Sequence, residues 1–162
     1  MGVAMSTGFP RARDELVAAL AQQIGRQHSA RVVMFHQAVA ERLGLNATDL
    51  KSLDLARSAS EPLTAGHLAE LTGLTTGAIT GVVDRLEAAG FVRRQRDAHD
   101  RRRVIIEPLP GREADVVQLF QPLGAAIAEL CVRYTDEELA LLINFLGQAD
   151  QLMHEETERL RD

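Results

Sequence analysis

The chain has 162 residues but only one cysteine, Cys131, together with one tyrosine, five phenylalanines and no tryptophan. A single cysteine excludes an intramolecular disulfide and a cysteine-built zinc centre. With so few aromatics the core must be aliphatic, which favours helices. No apolar run approaches the ~18 residues of a membrane span, and the opening MGVAMSTGFPRARDE has no hydrophobic signal-peptide core. The expectation is a soluble, cytoplasmic protein with a disordered tail over residues 1–12. Catalytic patterns are also missing: there is no G-x-S-x-G, no Walker loop and no H-E-x-x-H. No catalytic residue, no cofactor and no enzymatic activity are expected. His28 and His36 are too far apart on a helix to chelate together. His154 and Glu158 have i,i+4 spacing, but in an acidic stretch that reads as a solvated face, so no metal site is expected.

Lysine is nearly absent as well. Of 18 basic residues only Lys51 is a lysine, and the chain carries a net charge of −5. Against that acidic background, Phe91 to Arg103 holds Arg93, Arg94, Arg96, Arg101, Arg102 and Arg103 with only Asp97 and Asp100, a local net of +4. Arginine's planar fork suits phosphates and base edges. A solvated surface needs no such clustering.

The apolar spacing from Arg13 to Leu43 predicts one long helix, bent near Gly25 and stopped by Gly44. A second helix starts at Asn46 or Thr48 and carries Leu50, Leu53 and Leu55. Thr64 caps a short helix over Ala65–Leu71 that Gly73 ends. Thr75 caps the next, with Ile79, Val82, Val83 and Leu86 on one face, and Gly90 closes it ahead of Phe91. Two short helices about a glycine turn make a helix-turn-helix. Runs at Phe91–Arg96 and Arg102–Glu107 then flank the polar tip DAHD, the pattern of a β-hairpin. A long helix follows over about Arg112–Arg133, with Pro122 a potential kink. Thr135 and Glu138 form a capping box for the last helix.

Small residues on the face of the Thr75 helix, namely Thr75, Thr76, Gly77, Thr80 and Gly81, allow close approach to a major groove. Arg85 lies beside them. Arg101 and Arg102 fall just past the hairpin tip, where they can reach a minor groove. Arg94 and Arg103 complete the expected DNA contacts. Asp84 is expected to pair with one of Arg102 and Arg103, and Asp84 and Asp100 to steady the wing.

These features together resemble one family. The run V-D-R-L-E over Val83–Glu87 with Gly90, followed by D-x-x-D-R-R over Asp97–Arg102, is similar to the signature of MarR-family winged-helix transcription regulators. The resemblance covers nearly the whole chain. It implies a mainly α fold with a small β-hairpin wing: an N-terminal dimerisation helix over residues 13–45, a winged helix-turn-helix over 46–109 and C-terminal dimerisation helices over 110–162. The arms' long apolar faces, too large for a core of this size to bury, also point to a twofold homodimer. The implied function is a ligand-responsive repressor on a palindromic double-stranded operator. The implied effector is a small aromatic or amphipathic anion, for which Phe35, His36, Val39 and Leu50 are the candidate lining. Gly81 departs from the family, many members of which carry a long polar or basic residue there. A winged-helix protein-interaction module and a metal- or redox-sensing regulator are the alternative readings. The family's redox branch places a reactive cysteine in the first helix, whereas Cys131 lies on the penultimate one and reads as a buried packing residue.

Overall fold

The computed structural model describes residues 12–97, 100 and 103–161. The chain forms two compact units, one reaching Val116 and the other beginning at Val117. In the first, α1 (Arg13–Gln22) runs through a π-helical turn at Gln23–His28 into α2 (Ser29–Leu43). The bend expected at Gly25 is therefore a wide turn within a continuing helix. A side chain at Gly25 would meet nothing within 4 Å, so local backbone geometry, not packing, accounts for the irregularity.

Helix α3 (Ala47–Ser58) starts at Asn46, whose side chain accepts from the Asp49 amide at 2.9 Å while the Asp49 carboxylate faces the Asn46 amide at 3.5 Å. This reciprocal box settles the start at Asn46 over Thr48. Strand β1 (Leu63–Thr64) leads into α4 (Ala65–Thr72), and α5 (Thr76–Ala88) follows. Thr64 and Thr75 cap these two helices through their hydroxyls, each accepting a backbone amide at 3.2 Å. The hairpin pairs β2 (Val92–Arg96) with β3 (Val104–Pro108), in the register Arg94↔Ile106. Strand β1 joins the other edge of β3 through Leu63↔Ile106, giving the order β1-β3-β2. The fold is a winged helix.

Both helices of the helix-turn-helix end alike. Gly73 and Gly90 adopt φ of 69° and 75°, and the next residue donates back to the carbonyl five positions earlier: Leu74 to Ala69 and Phe91 to Leu86. The left-handed turn needs glycine. A Cβ at Gly90 would come no nearer than 3.9 Å to the Arg112 side chain, so Gly90→Ala will be penalised by backbone conformation alone. A loss of about 1–2 kcal/mol is expected in urea unfolding.

The core lies where α2, α3, α4, α5 and the sheet converge, on Val39, Leu50, Leu53, Leu68, Ile79, Val83, Leu86, Val92 and Ile106, each at most 5% exposed. One polar group there is unmatched: the Ser52 hydroxyl is buried without a hydrogen-bond partner. An unsatisfied buried hydroxyl is destabilising, so Ser52→Ala will raise stability by about 1 kcal/mol in the same assay.

The remainder of α6 (Glu113–Cys131) and α7 (Asp136–Arg161) make up the second unit. Helix α6 continues through Pro122. Helix α7 begins with the expected box: Thr135 Oγ1 accepts from the Glu138 amide and Glu138 from the Thr135 amide. No residue of α7 is buried, and Cys131, expected inside, is only half-buried. No helix among the described residues is long and apolar enough to cross a membrane.

Candidate nucleic-acid interface

Helix α5 presents two faces. Ile79, Val82, Val83 and Leu86 turn inward, and Thr76, Gly77, Thr80, Asp84 and Arg85 are exposed. The cap at Thr75 fixes where the exposed face begins. The Thr80 hydroxyl donates to the Thr76 carbonyl at 2.9 Å, so outward it offers lone pairs and a methyl.

The hairpin is stapled to this helix by one side chain. Arg94 Nη1 meets Glu87 at 2.6 Å, Nη2 meets Asp84 at 2.5 Å, and the Arg94 amide donates to Glu87 at 2.9 Å. Nη2 also reaches the Thr80 carbonyl at 3.4 Å. All four contacts are to α5. Arg94, an expected DNA contact, thus ties strand β2 to α5 in this structure. Asp84 was expected to hold Arg102 or Arg103; Arg102 lies outside the described residues, and among those described Asp84 meets Arg94. Strand β2 runs beside α5 and brings Arg94 to Asp84, whereas Arg103 lies beyond the strands and meets Asp97 at 3.5 Å.

Arg94 accounts for the acidity of Glu87. The Arg94 amide and then its guanidinium stabilise the carboxylate and hold its pKa below the usual glutamate value. Burial opposes the Arg94 charge, but Asp84 and Glu87 overcome this and raise its pKa. A folded-state pKa lowered below the unfolded one stabilises above the unfolded value and is lost as pH falls through the folded one. The staple is therefore intact at neutral pH and weakens below about pH 4.5. In Glu87→Gln, thermal stability will fall less steeply between pH 5 and 3 than in wild type.

At the tip, the Asp97 amide donates to the Arg103 carbonyl at 3.0 Å and the Arg103 amide to the Asp100 carbonyl at 2.9 Å. The Asp100 amide faces the Asp97 carboxylate at 3.4 Å. Asp97, Asp100 and Arg103 thus close the base of the turn. The expected contacts Arg101 and Arg102 lie outside the described residues. Across the strands Arg93 pairs with Glu107 at 2.7 Å.

Two site residues escape sequence reasoning. Asp49, 36 positions before Arg85, takes that guanidinium on its carboxylate at 2.7–3.2 Å. Arg112 donates to the Ala89 carbonyl at 2.9 Å, stacks 4.3 Å above the Phe91 ring and pairs with Asp115. It caps the C-terminal end of α5, where a cation is favoured. No local pattern flags either contact.

The four residues expected to line an effector site differ in burial. Val39 and Leu50 are 5% and 1% exposed and belong to the core. Phe35 and His36 are half-buried neighbours, with ring centroids 5.9 Å apart. A cavity of about 390 Å³ opens elsewhere, between Ala47, Thr48, Lys51 and Leu55 of α3 and Leu71, Thr72 and Leu74. Among the described residues no three His, Cys, Asp or Glu side chains cluster as a metal site.

Residues 55–103 match the model of the MarR family. The chain is 48% identical, over 97% of its length and 99% of the relative's, to an uncharacterized HTH-type transcriptional regulator of Bacillus subtilis strain 168, YcgE. The chain belongs to the MarR family of winged-helix transcription regulators. A second B. subtilis relative, the HTH-type transcriptional repressor YetL, is 30% identical over 64% of this chain and 63% of its own. Among solved structures, a MarR family protein from Bacillus stearothermophilus superposes with a TM-score of 0.68 at 23% identity, covering 88% of this chain and 99% of that one. This likeness is one of fold. Within the MarR frame, α5 occupies the recognition-helix position and the β2–β3 hairpin is the wing.

Proposed function

We propose that this MarR-family chain is a cytoplasmic homodimeric repressor that binds a palindromic duplex and releases it on binding a small aromatic or amphipathic anion. The observation that carries the reading is the arginine-rich wing stapled through Arg94 to a recognition helix whose outer face is small and polar. In this reading Thr75, Thr76, Gly77, Thr80 and Arg85 enter the major groove and Arg101 and Arg102 the minor groove, with Arg103 at the wing's base. Support for repression comes from the relative YetL, whose name describes a repressor.

Dimerisation is supported by apolar side chains left uncovered on the arms. Leu16 and Leu20 on α1, Leu123, Ile127 and Leu130 on α6, and Leu142, Leu146 and Met153 on α7 are all 42–54% exposed. Apolar stripes of this extent call for a partner, and a second copy supplies an identical one. A dimer would set two recognition helices for major grooves about 34–36 Å apart. His36 is the polar group proposed to orient the anion.

Selection of duplexes from a random pool, followed by anisotropy titrations of the winner across salt concentrations, tests the reading. A palindromic winner and a steep fall of log K with log salt are expected, because each phosphate contact contributes a slope of about −0.9. Selection that enriches no duplex, or a salt-independent affinity, would refute DNA binding and favour a protein partner.

A further inference from the structure

Asp49 is the most deeply placed acid in the ion pairs of the first unit. Its side chain is 2% exposed, while that of its partner Arg85 is 52% exposed. The carboxylate takes Nε at 3.0 and 3.2 Å and Nη2 at 2.7 Å. A guanidinium has five N–H donors in one rigid plane. Asp49 occupies the Nε–Nη2 edge, which leaves both donors of Nη1 and one of Nη2. One donor of Nη1 and the remaining donor of Nη2 lie parallel as the end-on fork, on a different edge from the one the buried acid holds.

The direction of this fork is also constrained. Long side chains on a helix lean back toward its N-terminus, which carries Arg85 over Gly81. A Cβ built at Gly81 would lie 3.4 Å from Nη1, and one built at Gly77, a turn further back, would meet nothing within 4 Å. The bare backbone at Gly81 leaves Nη1 uncovered on the face shared with Thr76, Gly77 and Thr80. Asp84, the neighbouring acid, is engaged by Arg94.

We infer that Arg85 reads a guanine in the major groove through this fork, with Asp49 as the positioning residue that holds it. The inference rests on the DNA-binding function proposed above. Guanine presents two adjacent acceptors, N7 and O6, that match two parallel N–H donors, whereas adenine places an amino group at the second position. A guanidinium has no acceptor to offer that amino group. A phosphate contact would require no fixed plane, since phosphates position a protein without reporting sequence. Gly81 thus opens the space in which the residue one turn later does the reading.

The test compares duplexes selected from a random pool by wild type, Arg85→Lys and Arg85→Ala, with circular dichroism to confirm folding. The expected result is one half-site position at which wild type requires guanine, Arg85→Ala accepts any base and Arg85→Lys, without the planar fork, keeps only a weakened preference, while preferences elsewhere are unchanged. A DNA-side change avoids any folding question. Placing 7-deazaguanine at that position should weaken wild type roughly tenfold or more and leave Arg85→Ala unaffected. Asp49→Asn, which keeps the guanidinium but loosens it, should lose part of the same discrimination. Variants that select the same base at every position, or that lose affinity equally for all duplexes, would overturn the inference and leave Arg85 a phosphate contact or a packing residue. Wild type selecting no duplex would overturn the proposed function and this inference with it, a result distinguishable from a wild type that binds without guanine dependence at Arg85.

Discussion

Changing Leu142 and Leu146 together to glutamate will convert the proposed dimer to a monomer and abolish tight operator binding. The two residues are one helical turn apart on α7 and are 43% and 54% exposed in the single chain. Burying one leucine is worth about 1.5–3 kcal/mol, and twofold symmetry doubles every loss. Because each leucine is about half exposed, the dimer should weaken by at least about 3 kcal/mol even before the cost of burying four carboxylates is added. Light scattering will report a monomer at micromolar protein, and helical content will persist because the first unit has its own core. Operator affinity should fall to that of a single lobe. A double variant that remains dimeric would remove α7 from the interface.

The second large effect belongs to the wing. Replacing Arg101 and Arg102 with alanine will weaken binding to the selected duplex strongly without changing the circular dichroism spectrum. Both positions lie beyond the β2 strand, and neither is needed by the Arg94 staple that orients the hairpin. If each arginine neutralises one phosphate, two wings with two arginines each place the loss of salt slope at up to about 3.6 units. A double variant with unchanged affinity and slope would eliminate the wing as a contact.

The helices of this chain are legible because they are punctuated locally. Asn46, Thr64, Thr75 and Thr135 each cap a helix by bonding an amide three residues ahead, and Gly73 and Gly90 close helices by adopting positive φ. Such signals need no tertiary information. Strand β1 was not legible, because two residues show no alternation and Thr64 also serves as a helix cap. Long-range ion pairs were hidden for a different reason. Arginine side chains reach several partners, and the choice of Asp84 by Arg94 rather than by Arg103 depends on which strand lies against α5. The Asp49–Arg85 pair joins residues 36 apart and becomes visible only once α3 and α5 are packed. The effector expectation was the least secure, since an apolar stretch around one histidine looks the same whether it lines a pocket or packs a core.

The ion pairs of the wing bear on how this protein would meet a duplex. Among the described residues Arg93, Arg94 and Arg103 each have a carboxylate within 3.5 Å, so these three arginines of the cluster are already compensated before any DNA arrives. The chain as a whole is at −5. A duplex further away than the Debye length, about 8 Å at physiological ionic strength, therefore approaches an object of its own sign. Long-range steering can contribute little to the association rate. Encounters would be governed by diffusion into a small positive tip, giving on-rates nearer those of neutral pairs than those of strongly basic regulators. Residence time on the operator, rather than speed of arrival, would then determine how completely a promoter is occupied.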